Sequence, residues 1–197
     1  MYDAQTQYDL IPDGVTGVVT VGQSDGNPQG EQILTAVHDA LVEQNIEGIL
    51  IRAAGSSGFF STGIMVTVSR PGMPSVLYKN VTPETISGLL TGHLVERKPV
   101  KKQALCQIPG EDEPIKGIPS INEIDFFAGQ HRIVSHRCGY IDPGRIDDAL
   151  RTGGYQTMDA ALSLSPEETM FTLESAGLHG HGGRGQTVMA QWSEVAG

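Results

Sequence analysis

The run Gly177-Leu178-His179-Gly180-His181-Gly182-Gly183-Arg184-Gly185 is the stretch of this 197-residue sequence best suited to chemistry. Glycines at this spacing let backbone N–H groups come close to an anion, and such a loop after a capped helix ordinarily shapes itself round a phosphate. Gly180, Gly182, Gly183 and Gly185 are therefore the candidate phosphate-binding residues. The sequence reaches Gly197 soon afterwards, so the expectation is a choice. Either the loop is a relic, or the rest of its site lies on another polypeptide.

The other reactive residue types give less. His179 and His181 stand two apart on the same loop with no third ligand nearby, a poor basis for a metal site. Two cysteines, Cys106 and Cys138, cannot supply a four-thiolate zinc or iron–sulfur centre. Cys138 reads as a packed structural thiol and Cys106, in a proline-rich stretch, as an exposed one. Ser56-Ser57 between Gly55 and Gly58 has the makings of an anion nest, but a loop filled by Phe59 and Phe60 is the preferred reading. His38 and His93 fall on predicted helices and read as solvent-facing or interface residues. His131 and His136 flank a strand-like apolar pair, and no serine stands at a spacing that makes a triad. No catalytic residue and no metal ligand is assigned.

These residues need elements to position them, and the first hundred residues alternate cleanly. Gly17–Val21 reads as a buried strand, and a helix opens at Pro28 with Asn27 as its cap. Ile33, Val37, Ala40 and Leu41 share one face of that helix. Gly48–Arg52 is a second strand, leading into a small-residue loop from Ala53 to Thr62. Ile64–Val68 and Ser75–Tyr78 form a hairpin joined by Arg70–Pro74. Thr82-Pro83-Glu84 caps a helix that turns Ile86, Leu89, Leu90 and Leu94 to the sheet. The order β-α-β-β-β-α gives the fold class, α/β with a thioredoxin-like plan.

From Pro99 to Ile124 the pattern loses regularity, with Pro109, Pro114 and Pro119 marking an extended segment suited to a partner surface. The C-terminal third reads as helical: a short helix from Asp147, another over 155–164, and a third opened by the capping box Ser165-Pro166-Glu167-Glu168 and closed at Gly177. The expected organisation is a thioredoxin-like domain over 1–98, an extended linker over 99–143 and a small helical region over 144–197.

Composition bounds the function. At 39% hydrophobic and 6% aromatic the chain is globular in type. A net charge of −10 excludes counterion-releasing contact with nucleic acid. Met1-Tyr2-Asp3-Ala4-Gln5 lacks the basic start of a signal peptide, and no stretch reaches the length of a membrane span. A soluble cytoplasmic protein without direct membrane insertion, its cysteines reduced, is the expectation.

Several segments resemble the NADH-binding flavoprotein subunit of respiratory complex I, a type that also occurs in multimeric NAD-dependent hydrogenases and formate dehydrogenases. His131-Arg132-Ile133-Val134 with Cys138-Gly139-Tyr140-Ile141-Asp142-Pro143 is similar to the start of the family's flavin domain. Gly153-Gly154-Tyr155, the Ser165 cap, the glycine run and Trp192 follow in the family's order. The resemblance implies a thioredoxin-like [2Fe–2S] domain followed by the beginning of a flavin domain, degenerate and truncated. The family holds its cluster with cysteines in the loops after the first two strands, near Ser56 and Phe60 in the second. Here those loops read Gly22-Gln23-Ser24-Asp25-Gly26-Asn27 and Gly55-Ser56-Ser57-Gly58-Phe59-Phe60-Ser61, without a thiol. In the glycine loop, His181 and Gln191 stand where the family has arginine and lysine, which removes permanent positive charge from an anion site.

The resemblance thus implies a non-catalytic accessory or structural subunit of a multisubunit NAD(H)-linked oxidoreductase complex. It binds no cofactor alone, its partners being other subunits of the complex that carry FMN, NADH and iron–sulfur clusters. The alternative is one half of a split NADH-oxidising flavoprotein, whose glycine loop completes an FMN site on a partner chain.

Overall fold

The computed structural model describes residues 13–22 and 27–196. It divides into two compact units, 1–152 and 153–197.

In the first unit the strands Gly17–Gly22 (β1), Ile49–Ala54 (β2), Val66–Arg70 (β3), Met73–Tyr78 (β4) and Ala104–Ile108 (β5) form one sheet in the order β2-β1-β3-β4-β5. Strand β1 (Gly17–Gly22) pairs in parallel with β2 (Ile49–Ala54), Val19 opposite Ile51. Parallel neighbours need a crossover, and helix α1 (Pro28–Glu43) supplies it. The Asn27 side chain accepts the Gln29 N–H at its start, and Pro28 occupies the first helical positions. Strands β3 (Val66–Arg70) and β4 (Met73–Tyr78) form the expected hairpin with a tighter turn, and β3 lies antiparallel to β1. Helix α2 (Pro83–Leu90) follows and runs into one π-helical turn over Thr91–Val95.

Alternation along the strands divides the core in two. Val19, Val21, Val66, Val68, Val76 and Tyr78 meet Ile33, Val37 and Leu41 of α1 and Ile86, Leu89 and Leu90 of α2. The helix faces expected from the sequence are the buried ones. Each such side chain contributes roughly 1.5–3 kcal/mol by leaving water. On the other face Met65 and Leu77 join Cys106, Ile108, Ile121 and Phe127.

That second cluster corrects the reading of residues 99–143 as an extended linker. Ala104–Ile108 is strand β5, antiparallel to β4 with Leu77 opposite Cys106. The proline-rich stretch beyond it is tied down by one amide. Gln107 accepts the Ile115 N–H at 2.7 Å and donates to the Ile118 carbonyl at 2.6 Å, while its backbone N–H bonds Pro119 O. Internal hydrogen bonds hold this segment in place. A short helix α3 (Asp125–Ala128), turns over 133–141 and α4 (Ile146–Arg151) complete the unit. Ile133 and Val134, a strand-like pair by sequence, lie in those turns and are exposed.

The second unit holds α5 (Met158–Leu162), α6 (Pro166–Ser175) and α7 (Val188–Ala196). Helix α5 is shorter than the span expected over 155–164. The Ser165 capping box is present: Ser165 Oγ accepts the Glu168 N–H at 3.2 Å, and Glu168 Oε2 accepts the Ser165 N–H at 2.8 Å. Helices α6 and α7 pack on one another. Among its described residues none reaches full burial.

Candidate functional site

The loop after β2, Gly55–Ser61, is the first of the two loops to which the sequence points. Its base is fixed by a buried ion pair. Arg52 meets Asp148 of α4 through Nε to Oδ2 at 2.8 Å and a terminal nitrogen to Oδ1 at 2.9 Å, with both side chains almost wholly buried. This bidentate geometry is the strong form of the pair. Asp148 Oδ2 also accepts the Asp142 N–H, and Asp142 Oδ2 accepts the N–H of Ala53.

The loop's tip is held from the same segment of chain. The Ser56 hydroxyl accepts the Gly58 N–H at 2.9 Å, closing a local turn. Arg132 donates to the Ser57 carbonyl and lies over the Phe127 ring, 5.7 Å from its centroid. Phe59 stacks on Phe126 with centroids 4.3 Å apart and planes within 8°, and meets Phe127 edge-on at 5.8 Å. Gly139 has φ +90°, and a Cβ there would sit 3.3 Å from Ser57 Cβ, so this backbone approaches the loop closely because it is glycine. A small cavity lies between these parts, lined by Thr20, Gly22, Gly55, Ser57, Thr67 and Tyr140 among others. Phe59 therefore fills the loop as expected, whereas Phe60 is 71% exposed and does not. The short 3₁₀ turn Phe60–Thr62 faces Phe60 outward. Of the loop after β1, residues 23–26 lie outside the described residues.

No protein-family model matches the chain. It is 35% identical over 68 residues to the NADP-reducing hydrogenase subunit HndC of Solidesulfovibrio fructosivorans, a match covering 34% of this chain and 14% of that protein. It is 40% identical over 47 residues to an NADH-quinone oxidoreductase subunit of Aquifex aeolicus, covering 24% of this chain and 11% of the relative. By sequence the chain is a relative of these two subunits. The matches span only those small shares of the curated relatives' length. Among solved structures, a thioredoxin-like [2Fe–2S] ferredoxin from Aquifex aeolicus overlays with a TM-score of 0.41 at 20% identity, covering 51% of this chain and 99% of that one. Another structure of the wild-type ferredoxin gives 0.39 at 21% identity over 46% and 97%.

The donor set at the β2 loop does not suit an iron–sulfur cluster. Hydroxyls, a backbone carbonyl already engaged by Arg132 and a stacked phenyl ring stand where soft thiolates are required. Neither cysteine of the chain belongs to the loop. Cys106 is fully buried on the inner face of β5, where burial pushes its thiol up to about 12. Cys138 is exposed among the turns over 133–141. Both expectations for the cysteines are reversed: strand alternation hides the one, and a turn without a core of its own presents the other.

The histidines divide similarly. His38 is exposed, as its helix position suggests. His93, expected to face solvent or an interface, is instead completely buried. It sits in the π-helical turn with Nδ1 2.9 Å from the Tyr78 hydroxyl. Burial, together with the nearby Arg70 charge, pushes its pKa down to about 3. Burial likewise raises the Tyr78 phenol above its ordinary range. His131 and His136 are exposed, with His136 Nδ1 against its own Ile133 carbonyl.

In the second unit the glycine run is a closed loop. His179 bridges Thr187 in antiparallel fashion, the Gly180 N–H donates to Gln186 O at 2.9 Å, and the Val188 N–H donates to Leu178 O at 2.8 Å. Gly183 and Gly185 adopt φ of +79° and +66°. The loop then delivers the chain to the start of α7, where Thr187 Oγ1 accepts the Ala190 N–H. Gly182, Gly183 and Gly185 face open space, and the Gln191 amide lies against Gly180. Helix α7 is not foreseen by the sequence, in which Trp192 reads only as the end of the loop. Arg132, Phe126, Arg52 and Asp148 escape sequence reasoning as a group. Their one signal is the isolated Arg52 at the end of an apolar strand, a buried charge in need of a carboxylate.

Proposed function

We propose that the chain is a non-catalytic accessory subunit of a multisubunit NAD(H)-linked oxidoreductase complex, working in the cytoplasm and occupying the place of a redox subunit without passing electrons. The relationship to the hydrogenase and quinone-oxidoreductase subunits supports the kind of complex. One observation carries the non-electron-carrying role. The loop after β2 is fastened at base and tip by protein groups, the Phe59–Phe126 stack and the Arg132–Ser57 bond, with no thiol in its sequence. Among the described residues no helix is long and apolar enough to cross a membrane, in keeping with attachment through protein contacts. The test is iron and acid-labile sulfide analysis of protein purified without oxygen. Trace amounts are expected, and a stoichiometric [2Fe–2S] content overturns the reading.

A second reading is favoured by one feature. Gly182, Gly183 and Gly185 face open space on a loop that leads into a helix start, a geometry open to an anion such as the phosphate of FMN. On that reading Gly180, Gly182, Gly183 and Gly185 complete a flavin site with a partner chain. Deleting 179–192 in the purified complex separates the two, since NADH-dependent dye reduction survives in a scaffold and is lost in a split enzyme.

A further inference from the structure

The cavity beneath the β2 loop has a volume of about 20 Å3 and a lining that mixes hydroxyl-bearing with apolar residues. Strand alternation explains the mixture. Val19, Val21, Val66 and Val68 face the helices, so Thr20 and Thr67 between them stand on the opposite face, where Met65, Leu77 and Ile108 also lie. The two threonines are directly opposite in the antiparallel β1–β3 ladder, and each is only 7% exposed. Ser57 lines the same space from the loop, and Tyr140 from the segment packed against it. The Ser57 hydroxyl is buried and has no hydrogen-bond partner among the described residues.

Hydrogen bonding, size and charge together define the guest. A buried hydroxyl that bonds nothing costs free energy. Apolar cavities stay dry, whereas internal waters settle where buried polar groups lack partners. The volume exceeds the roughly 10–15 Å3 that one water requires. It is far below the roughly 300 Å3 at which pockets for organic ligands begin. No charged side chain lines the cavity, so an ion would lose its hydration there without a counter-charge. The Arg132 guanidinium that reaches this loop is engaged by the Ser57 carbonyl.

We propose that the cavity binds one water molecule, held by the Ser57 hydroxyl and the Thr20–Thr67 pair. The water fastens the loop after β2 to the sheet beneath it, a tie separate from the Phe59–Phe126 stack and the Arg132 bond. The inference goes beyond the accessory-subunit reading, and the outcome of iron and sulfide analysis does not bear on it.

Two measurements on the full chain test it. A crystal structure at high resolution should show one density peak about 2.7–3.2 Å from Ser57 Oγ and from a threonine Oγ1. Oxygen-17 relaxation dispersion counts long-lived internal waters in solution and is not contaminated by exchange of hydroxyl protons. A variant combining Ser57→Ala, Thr20→Val and Thr67→Val nearly preserves the side-chain shapes. It should lose the dispersion of a single water while its far-UV circular dichroism stays unchanged. A parent crystal without the peak overturns the inference, whether or not the variant folds. Equal dispersion in the parent and the folded variant also overturns it. So does a peak with cation-like contacts of about 2.3–2.6 Å, or an anomalous signal from chloride in the cavity.

Discussion

The two cysteines give this protein its plainest chemical signature. With Cys106 fully buried and its thiol pushed up to about 12, only Cys138 is available near neutral pH. Titration with a chromogenic disulfide should report one thiol in the folded chain and a second only in denaturant. His93 gives a signature in pH. Its ordinary value of 6.5 falls to about 3 in the folded chain. Between those limits the unfolded chain takes a proton that the folded chain refuses, so stability falls as pH falls, by up to about 1.4 kcal/mol per pH unit. His93→Gln should therefore flatten the drop in urea midpoint between pH 6.5 and pH 4.5, although the variant starts lower at pH 7. Sequence alone misplaces both residues. Each depends on which side of an element it falls, and the one-turn widening to a π-helix at Thr91–Val95 is invisible to a 3.6-residue count.

At the scale of elements, strand β2 and its loop depend on a segment nearly a hundred residues away. Removing the carboxylate with Asp148→Asn leaves Arg52 buried beside a neutral amide, at a cost of about 3–5 kcal/mol. Replacing Arg52 by Met and Asp148 by Leu together should recover most of that loss, and denaturant unfolding of these variants beside the parent chain measures the difference. The regular strands and α1 are legible in the sequence because their apolar periods are long and their caps conventional. The β5 strand is not, because five residues among prolines carry too short a pattern, and its evidence lies in pairing with β4. The candidate loop is half legible. Its lack of thiols and its aromatic filling can be read directly, but the Phe126 and Arg132 that complete it come from a stretch with the composition of a linker.

For the molecule as a whole, stability is unevenly spread. The first unit owns both apolar clusters and the buried ion pair, whereas the second has no fully buried side chain among its described residues. Amide exchange should show β1, β3 and β4 opening only with global unfolding, while α5, α6 and α7 exchange through small local openings. Equal protection in the two units would contradict this. The outer border of the sheet carries a last consequence. A border strand with free N–H groups is a template on which other chains extend the sheet, and the Asp142 carboxylate covers the Ala53 N–H of β2 at 3.2 Å. The contact that helps seat the loop thus also occupies one N–H of that border, leaving one site fewer for a further strand to pair with.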